Sequence, residues 1–258
     1  TPHCYYFHAR TGMCRRIILS AERFLSRKTD AVILAIGHSA RDTVEMLYKN
    51  GAQIIQKPFS VGARIEHPQK LIDKAQYGAF AGHPKLGAAD YKLSCHGLHQ
   101  RGAYTFCMCP GGTVVAAASE KGGVIVNGMS TLARDGENAN SALLVGIDPV
   151  DFPSEHPLAG MYYQREIEQN AFALGGGDYR APAQLVGDFL ADRESRALGN
   201  VQPTCPTGVT LTNLRYCLPD KVRTTMQAAI TEMDKRLHGF ALPDAVLTAP
   251  ETRSSSSV

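Results

Sequence analysis

Apolar positions along the chain change rhythm several times, and each change predicts an element. Asp30-Ala31-Val32-Ile33-Leu34-Ala35-Ile36 is a continuous apolar run that stops at Gly37 and turns polar through His38-Ser39-Ala40-Arg41-Asp42. Such a run fits a strand buried on both faces, as inside a parallel sheet. Gly37 then permits a tight turn or a close approach of backbone to a flat group, and ligands of open α/β sheets sit beyond such strand ends. The plainer alternative is a buried strand before an ordinary glycine turn. Residues 41–50 have helical spacing, with Asp42 or Thr43 to cap them, Val44, Leu47 and Tyr48 on one face, and Gly51 as the stop.

Residues 57–68 alternate as a strand that closes at His67-Pro68. A short helix over 68–75 and a Gly/Ala/His/Pro-rich loop over 78–89 follow. Strands are predicted over 103–109, 113–119, 124–128 and 141–147, with Pro110-Gly111-Gly112 as a hairpin between the first two. Strands joined by short turns make an antiparallel sheet. The remainder predicts helices over 157–174, 181–191 and 219–237, the second with Pro182 in its first turn, and a last strand over 244–249. Residues 1–29 support neither strand nor helix over the other. The layout suits an insertion into a parallel-sheet domain: 1–50 as part of that domain, 51–243 inserted, 244–258 returning. The fold class expected is α/β with an α+β insertion whose sheet is antiparallel or mixed.

Composition changes this picture little. The 258 residues are 44% hydrophobic and 20% charged with a formal charge of +3, too small a surplus to argue for nucleic acid. No apolar run approaches a membrane span and no signal-peptide pattern opens the chain, so a soluble, cytoplasmic protein with no membrane partner is expected. Seven cysteines form no regular framework, which favours reduced thiols. Cys107-Met108-Cys109 has the wrong spacing for zinc and no second pair, so no metal site is expected. Thr1 at the start and the serine run at the end suggest a piece of a longer protein.

The chemistry rests on motifs in a fixed order. These are Ala35-Ile36-Gly37-His38-Ser39-Ala40-Arg41-Asp42-Thr43, Phe106-Cys107-Met108-Cys109-Pro110-Gly111-Gly112, Asn127-Gly128-Met129-Ser130, Arg134-Asp135-Gly136-Glu137-Asn138-Ala139-Asn140-Ser141-Ala142, and Ala249-Pro250-Glu251-Thr252-Arg253-Ser254-Ser255. In this order the chain resembles the uncharacterised bacterial FAD-dependent dehydrogenases (NAD/FAD-utilising), flavoproteins with two dinucleotide-binding domains, over roughly residues 30–256. The resemblance implies a Rossmann-like FAD-binding domain interrupted by a substrate or cap domain. It also implies hydride transfer through FAD to or from a small molecule, with NAD(P)H as a possible electron partner. The amino-terminal Gly-x-Gly-x-x-Gly fingerprint that seats the FAD pyrophosphate has no counterpart here. The late glycine-rich flavin segment is also absent, and Ser257 stands where the family commonly has proline.

By that resemblance Ala35, Ile36, Gly37, His38, Ser39, Thr252 and Arg253 are the cofactor-binding candidates. Arg253 would face the FAD phosphates or the flavin edge, or be an exposed tail arginine. His38 is also a candidate proton shuttle, against an ordinary turn histidine. Cys107 and Cys109 are candidate thiols beside the flavin; strand alternation puts both on one face, a disulfide between residues one apart would be strained, and packed, reduced cysteines are the competing reading. Pro110-Gly111-Gly112 could also lay bare backbone against a ring. Arg134 and Asn138 are candidates to hold an anionic or carbonyl substrate, against a solvated loop capping its own turns. His67, His83 and His96 carry no motif and are expected to be structural or exposed. The rival to an oxidoreductase is a non-enzymatic module that binds a protein or peptide. Oligomeric state is not legible.

Overall fold

The computed structural model describes residues 35–37 and 39–252. The chain divides into two units, Thr1–Gly37 and His38–Val258. Of the first, only Ala35, Ile36 and Gly37 are described. They are exposed and lie in no strand, and Gly37 has φ +66°. The buried strand expected here is therefore not continued by Ala35 and Ile36, which pair with no other strand among the described residues; its other residues lie outside them.

The second unit is built on nine strands and five α-helices among the described residues. In chain order they are α1 (Arg41–Lys49), β1 (Phe59–Pro68), α2 (Gln69–Tyr77), β2 (Ser94–Leu98), β3 (Arg101–Cys109), β4 (Gly112–Ala116), β5 (Val126–Ser130), β6 (Asn138–Ile147), α3 (Ala159–Leu174), β7 (Ala181–Leu185), α4 (Val186–Leu190), β8 (Val209–Leu211), α5 (Asp220–Asp234) and β9 (Val246–Glu251). Seven strands form one mixed sheet in the order β2-β3-β6-β1-β9-β7-β8, and β4 and β5 form a separate two-stranded sheet. All neighbours in the large sheet are antiparallel except β7 and β8. The strand expected to return to another domain, β9, is thus held between β1 and β7 within this sheet.

Two faces of β1 explain the architecture. Val61, Ala63 and Ile65 point to one side and join Leu143, Val145 and Ile147 of β6 in the main core. Helix α5 crosses β1, β2, β3 and β6 on this side, with Met226, Ala229, Ile230 and Met233 at helical spacing fully buried against them. Each such isoleucine or methionine contributes about 2 kcal/mol by leaving water. Ser60, Gly62, Arg64 and Glu66 point to the other side, yet they are buried too, because the β4–β5 sheet lies over that face and contacts β1, β3, β6 and β9.

Three expectations are corrected. Residues 181–191 are a strand followed by one helical turn. Pro182 suits a helix start, but here it lies one residue short of where the β9 ladder begins at Ala183, so its missing N–H costs that ladder nothing. Pro110-Gly111-Gly112 is not a hairpin: β3 pairs with β2 and β6, whereas β4 pairs with β5. The glycine turn carries the chain out of one sheet into the other, and the four consecutive strands do not share one antiparallel sheet. Finally, α1 begins after Ala40 with no side-chain cap, since the Asp42 carboxylate accepts from the adjacent Thr43 N–H.

Candidate functional site

The covered face of the sheet carries a stripe of buried polar side chains. Register places Arg64 and Glu66 of β1 beside Asn138 and Asn140 of β6 and Thr248 of β9. Arg64 is the centre. Its Nε donates to Glu251 Oε2 at 2.6 Å, Nη1 to the Cys107 carbonyl at 2.7 Å and to Asn140 Oδ1 at 3.2 Å, and Nη2 to Asn127 Oδ1 at 2.8 Å. Four segments of chain therefore converge on one guanidinium, whose planar fork suits such a task. Burial pushes the Glu251 carboxyl up to about 7, against the opposing pull of Arg64. Gly128 is what lets β5 lie this close: a Cβ there would run into Asn140 Oδ1 and the Arg64 guanidinium. Gly128→Ala is expected to lower the unfolding free energy by about 2 kcal/mol through this overpacking. Urea denaturation measures it, and an unchanged midpoint would contradict the packing described.

Further along the stripe, Glu66 is buried and held from two sides. Thr204 donates its hydroxyl to Oε1 at 2.6 Å and its N–H to the same oxygen at 3.2 Å, while Asn138 Nδ2 donates at 3.3 Å. Burial raises the Glu66 pKa, opposed by these hydrogen bonds. The Thr204 hydroxyl also accepts from Val114 N–H at 2.8 Å, tying β4 to β1 through Glu66.

Asn138 ends the stripe at a cleft of about 610 Å³, where Lys70, Asp73, His83, Arg134 and Glu137 also line the wall. The loop carrying Arg134 is fixed by backbone. Arg134 has φ +52°, and a Cβ on Gly111 would collide with its carbonyl. Gly136 N–H donates to the Gly111 carbonyl at 3.1 Å, Gly111 N–H donates to Gln69 Oε1 at 2.7 Å, and Gln69 N–H donates to the Glu137 carbonyl at 2.8 Å. The bare backbone of Gly111 thus packs against residues 134–136. A non-glycine residue held at positive φ is conformationally costly, and such residues gather at ligand sites. The Arg134 side chain is exposed and makes no hydrogen bond or ion pair among the described residues.

The structure brings Arg134 and Asn138 to the wall of one cleft, which neither Cys107 nor Cys109 lines, although Cys109 pairs with Asn140 two residues further along β6. Thr252 is buried, its hydroxyl donated to Glu168 Oε1 at 2.7 Å and its carbonyl accepting from Gln164 Nε2 at 2.9 Å. Ser39 is exposed. Gly37 has φ +66° and open space where a Cβ would lie. His38 and Arg253 lie outside the described residues. His83, given no role by its sequence context, lines the cleft with Nδ1 accepting from Lys85 N–H. His67 is wholly buried, its Nε2 2.8 Å from the Phe240 carbonyl, and burial lowers its pKa to about 4. Sequence reasoning missed Arg64 and Glu66, although two charges at period two inside an apolar strand were the available signal. Among the described residues no group of three or more His, Cys, Asp or Glu could hold a metal ion, and no helix is long and apolar enough to cross a membrane.

Comparison with known proteins gives the family of the chain. Residues 58–254 match the family described as FAD-dependent protein, C-terminal domain-like, and the chain belongs to that family. An uncharacterized protein of Clostridium beijerinckii is 53% identical over 230 residues, covering 89% of this chain. The chain spans 43% of that relative's length.

Proposed function

We propose that this chain is the substrate-side portion of an FAD-dependent oxidoreductase, a dehydrogenase acting on a small polar molecule held in the Arg134–Asn138 cleft. The observation that carries the reading is the family match over 58–254. In this reading residues 1–50 belong to a Rossmann-like cofactor domain, and the backbone around Ala35, Ile36, Gly37, His38 and Ser39 faces the flavin. Val246–Glu251 belongs to the mixed sheet, and in this reading Thr252 and Arg253 are cofactor-binding. Bound FAD supplies a hydride acceptor or donor, with NAD(P)H as the candidate electron partner. The chain's own contribution is orientation: Arg134, exposed and without a partner among the described residues, clamps a carboxylate or carbonyl oxygen, and Asn138, whose Nδ2 donates to Glu66 and to the Gln202 carbonyl, has its Oδ1 left to accept from a substrate donor.

The full-length protein, purified and then supplied with FAD, is expected to show flavin absorbance in the visible range. A colourless protein after FAD addition and removal of unbound cofactor would overturn the proposal.

A further inference from the structure

The Cys107-Met108-Cys109 segment does not follow strand alternation. Phe106 pairs with Ala142 and Cys109 with Asn140, so two residues of β3 stand opposite Ser141 alone. This β-bulge puts Cys107 at φ +46° and makes it exposed, while Cys109 is buried at 6%. The bulge is pinned through a single carbonyl: Cys107 C=O accepts from Arg64 Nη1 at 2.7 Å and from Cys109 Sγ–H at 3.2 Å. Both thiols are free, and the Cys109 sulfur lies against the backbone of Cys107, 3.2 Å from its carbonyl oxygen. Burial raises the Cys109 pKa, so that thiol keeps its proton, opposed by the nearby Arg64 charge. A regular strand would not produce this asymmetry of one open and one sheltered thiol two residues apart.

We propose that Cys107 and Cys109 form a thiol–disulfide exchange couple for a low-molecular-weight disulfide of the glutathione class, with Cys107 attacking and Cys109 resolving. In the first step the Cys107 thiolate attacks one sulfur of the external disulfide. That disulfide bond breaks, a mixed disulfide forms on Cys107, and one external thiolate leaves. In the second step Cys109 loses its proton to solvent and attacks Cys107 Sγ, which releases the second external thiolate. The protein thiols are oxidised to one disulfide, the external disulfide is reduced to two thiols, and the protons end on the two leaving groups. Arg64 is a positioning residue that holds the bulge carbonyl and with it the separation of the sulfurs. The couple stands on this geometry and does not depend on flavin binding.

The tryptic peptide covering residues 102–121 contains only these two cysteines, which makes the test direct. The chain is incubated with oxidised glutathione, free thiols are blocked with iodoacetamide, and the peptide is weighed. The expected product carries neither alkyl group nor glutathione and regains both alkylation sites after reduction. Cys109→Ser is expected to trap glutathione on Cys107, and Cys107→Ser to leave Cys109 unreacted. A wild-type peptide that stays doubly alkylated, or that stops at the glutathione adduct, overturns the proposal.

Discussion

Arg64→Ala is expected to lower the unfolding free energy by about 3–5 kcal/mol at pH 8, the cost of removing one member of a buried ion pair. Both side chains of the Arg64–Glu251 pair are almost wholly inaccessible, at 0% and 2%. The variant leaves Glu251 without its cation and withdraws the donor from the Cys107 carbonyl and from Asn127 and Asn140. The loss should shrink in acid. Glu251 titrates near 7 in the folded chain against an ordinary 4.5. Its folded pKa is raised, so its protonated form favours folding below pH 4.5, and that contribution is lost as pH rises through about 7. Without Arg64 the carboxyl is pushed higher still, so the variant suffers most where the wild type holds an ionised pair. At pH 5.5 Glu251 is mostly neutral in both proteins and the difference is smaller. Urea denaturation at the two pH values checks this. Equal losses at both, or a loss under about 1 kcal/mol at pH 8, would contradict the buried pair.

That pair also marks where sequence reading stops. Local rhythm was enough for β1, α1, α3 and α5, because each has an apolar period and a glycine or proline at its boundary. It was not enough for β8, a three-residue strand, or for β2, whose residues His96 and Gly97 are exposed. Residues 181–185 follow no period that separates strand from helix, and only the neighbouring strands decide the matter. Site residues divide the same way. Arg134 and Asn138 stand in a dense polar segment and were visible as candidates. Arg64 was visible only as a charge inside an apolar strand; its partner Glu251 is 187 positions away and nothing local announces the pairing. The cysteines were visible, but the bulge that separates their environments depends on register with β6. The glycines at 111 and 128 look alike in sequence, yet one makes room for the Arg134 carbonyl and the other for a buried guanidinium.

The second large effect is expected at the other buried arginine. Arg41 of α1 donates through both terminal nitrogens to Glu168 of α3, each at 2.7 Å, and through Nη1 to Glu120 at 2.7 Å. Glu168 in turn accepts from the Thr252 hydroxyl, so one carboxylate ties α1, α3 and the end of β9 together. Glu168→Ala is expected to cost about 3–5 kcal/mol, because a guanidinium only 1% exposed loses its bidentate partner. Glu120, a quarter exposed and shared with Arg165, cannot replace that contact. The informative comparison is Arg41→Met combined with Glu168→Met. Removing both charges and filling the space with apolar side chains abolishes the desolvation penalty of each, so the double variant should be more stable than either single one. A double-mutant cycle in urea reads the coupling directly. If the two losses simply add, the residues do not act as a pair, and the link from α1 through α3 to Thr252 would have to rest on the remaining hydrogen bond from Gln164.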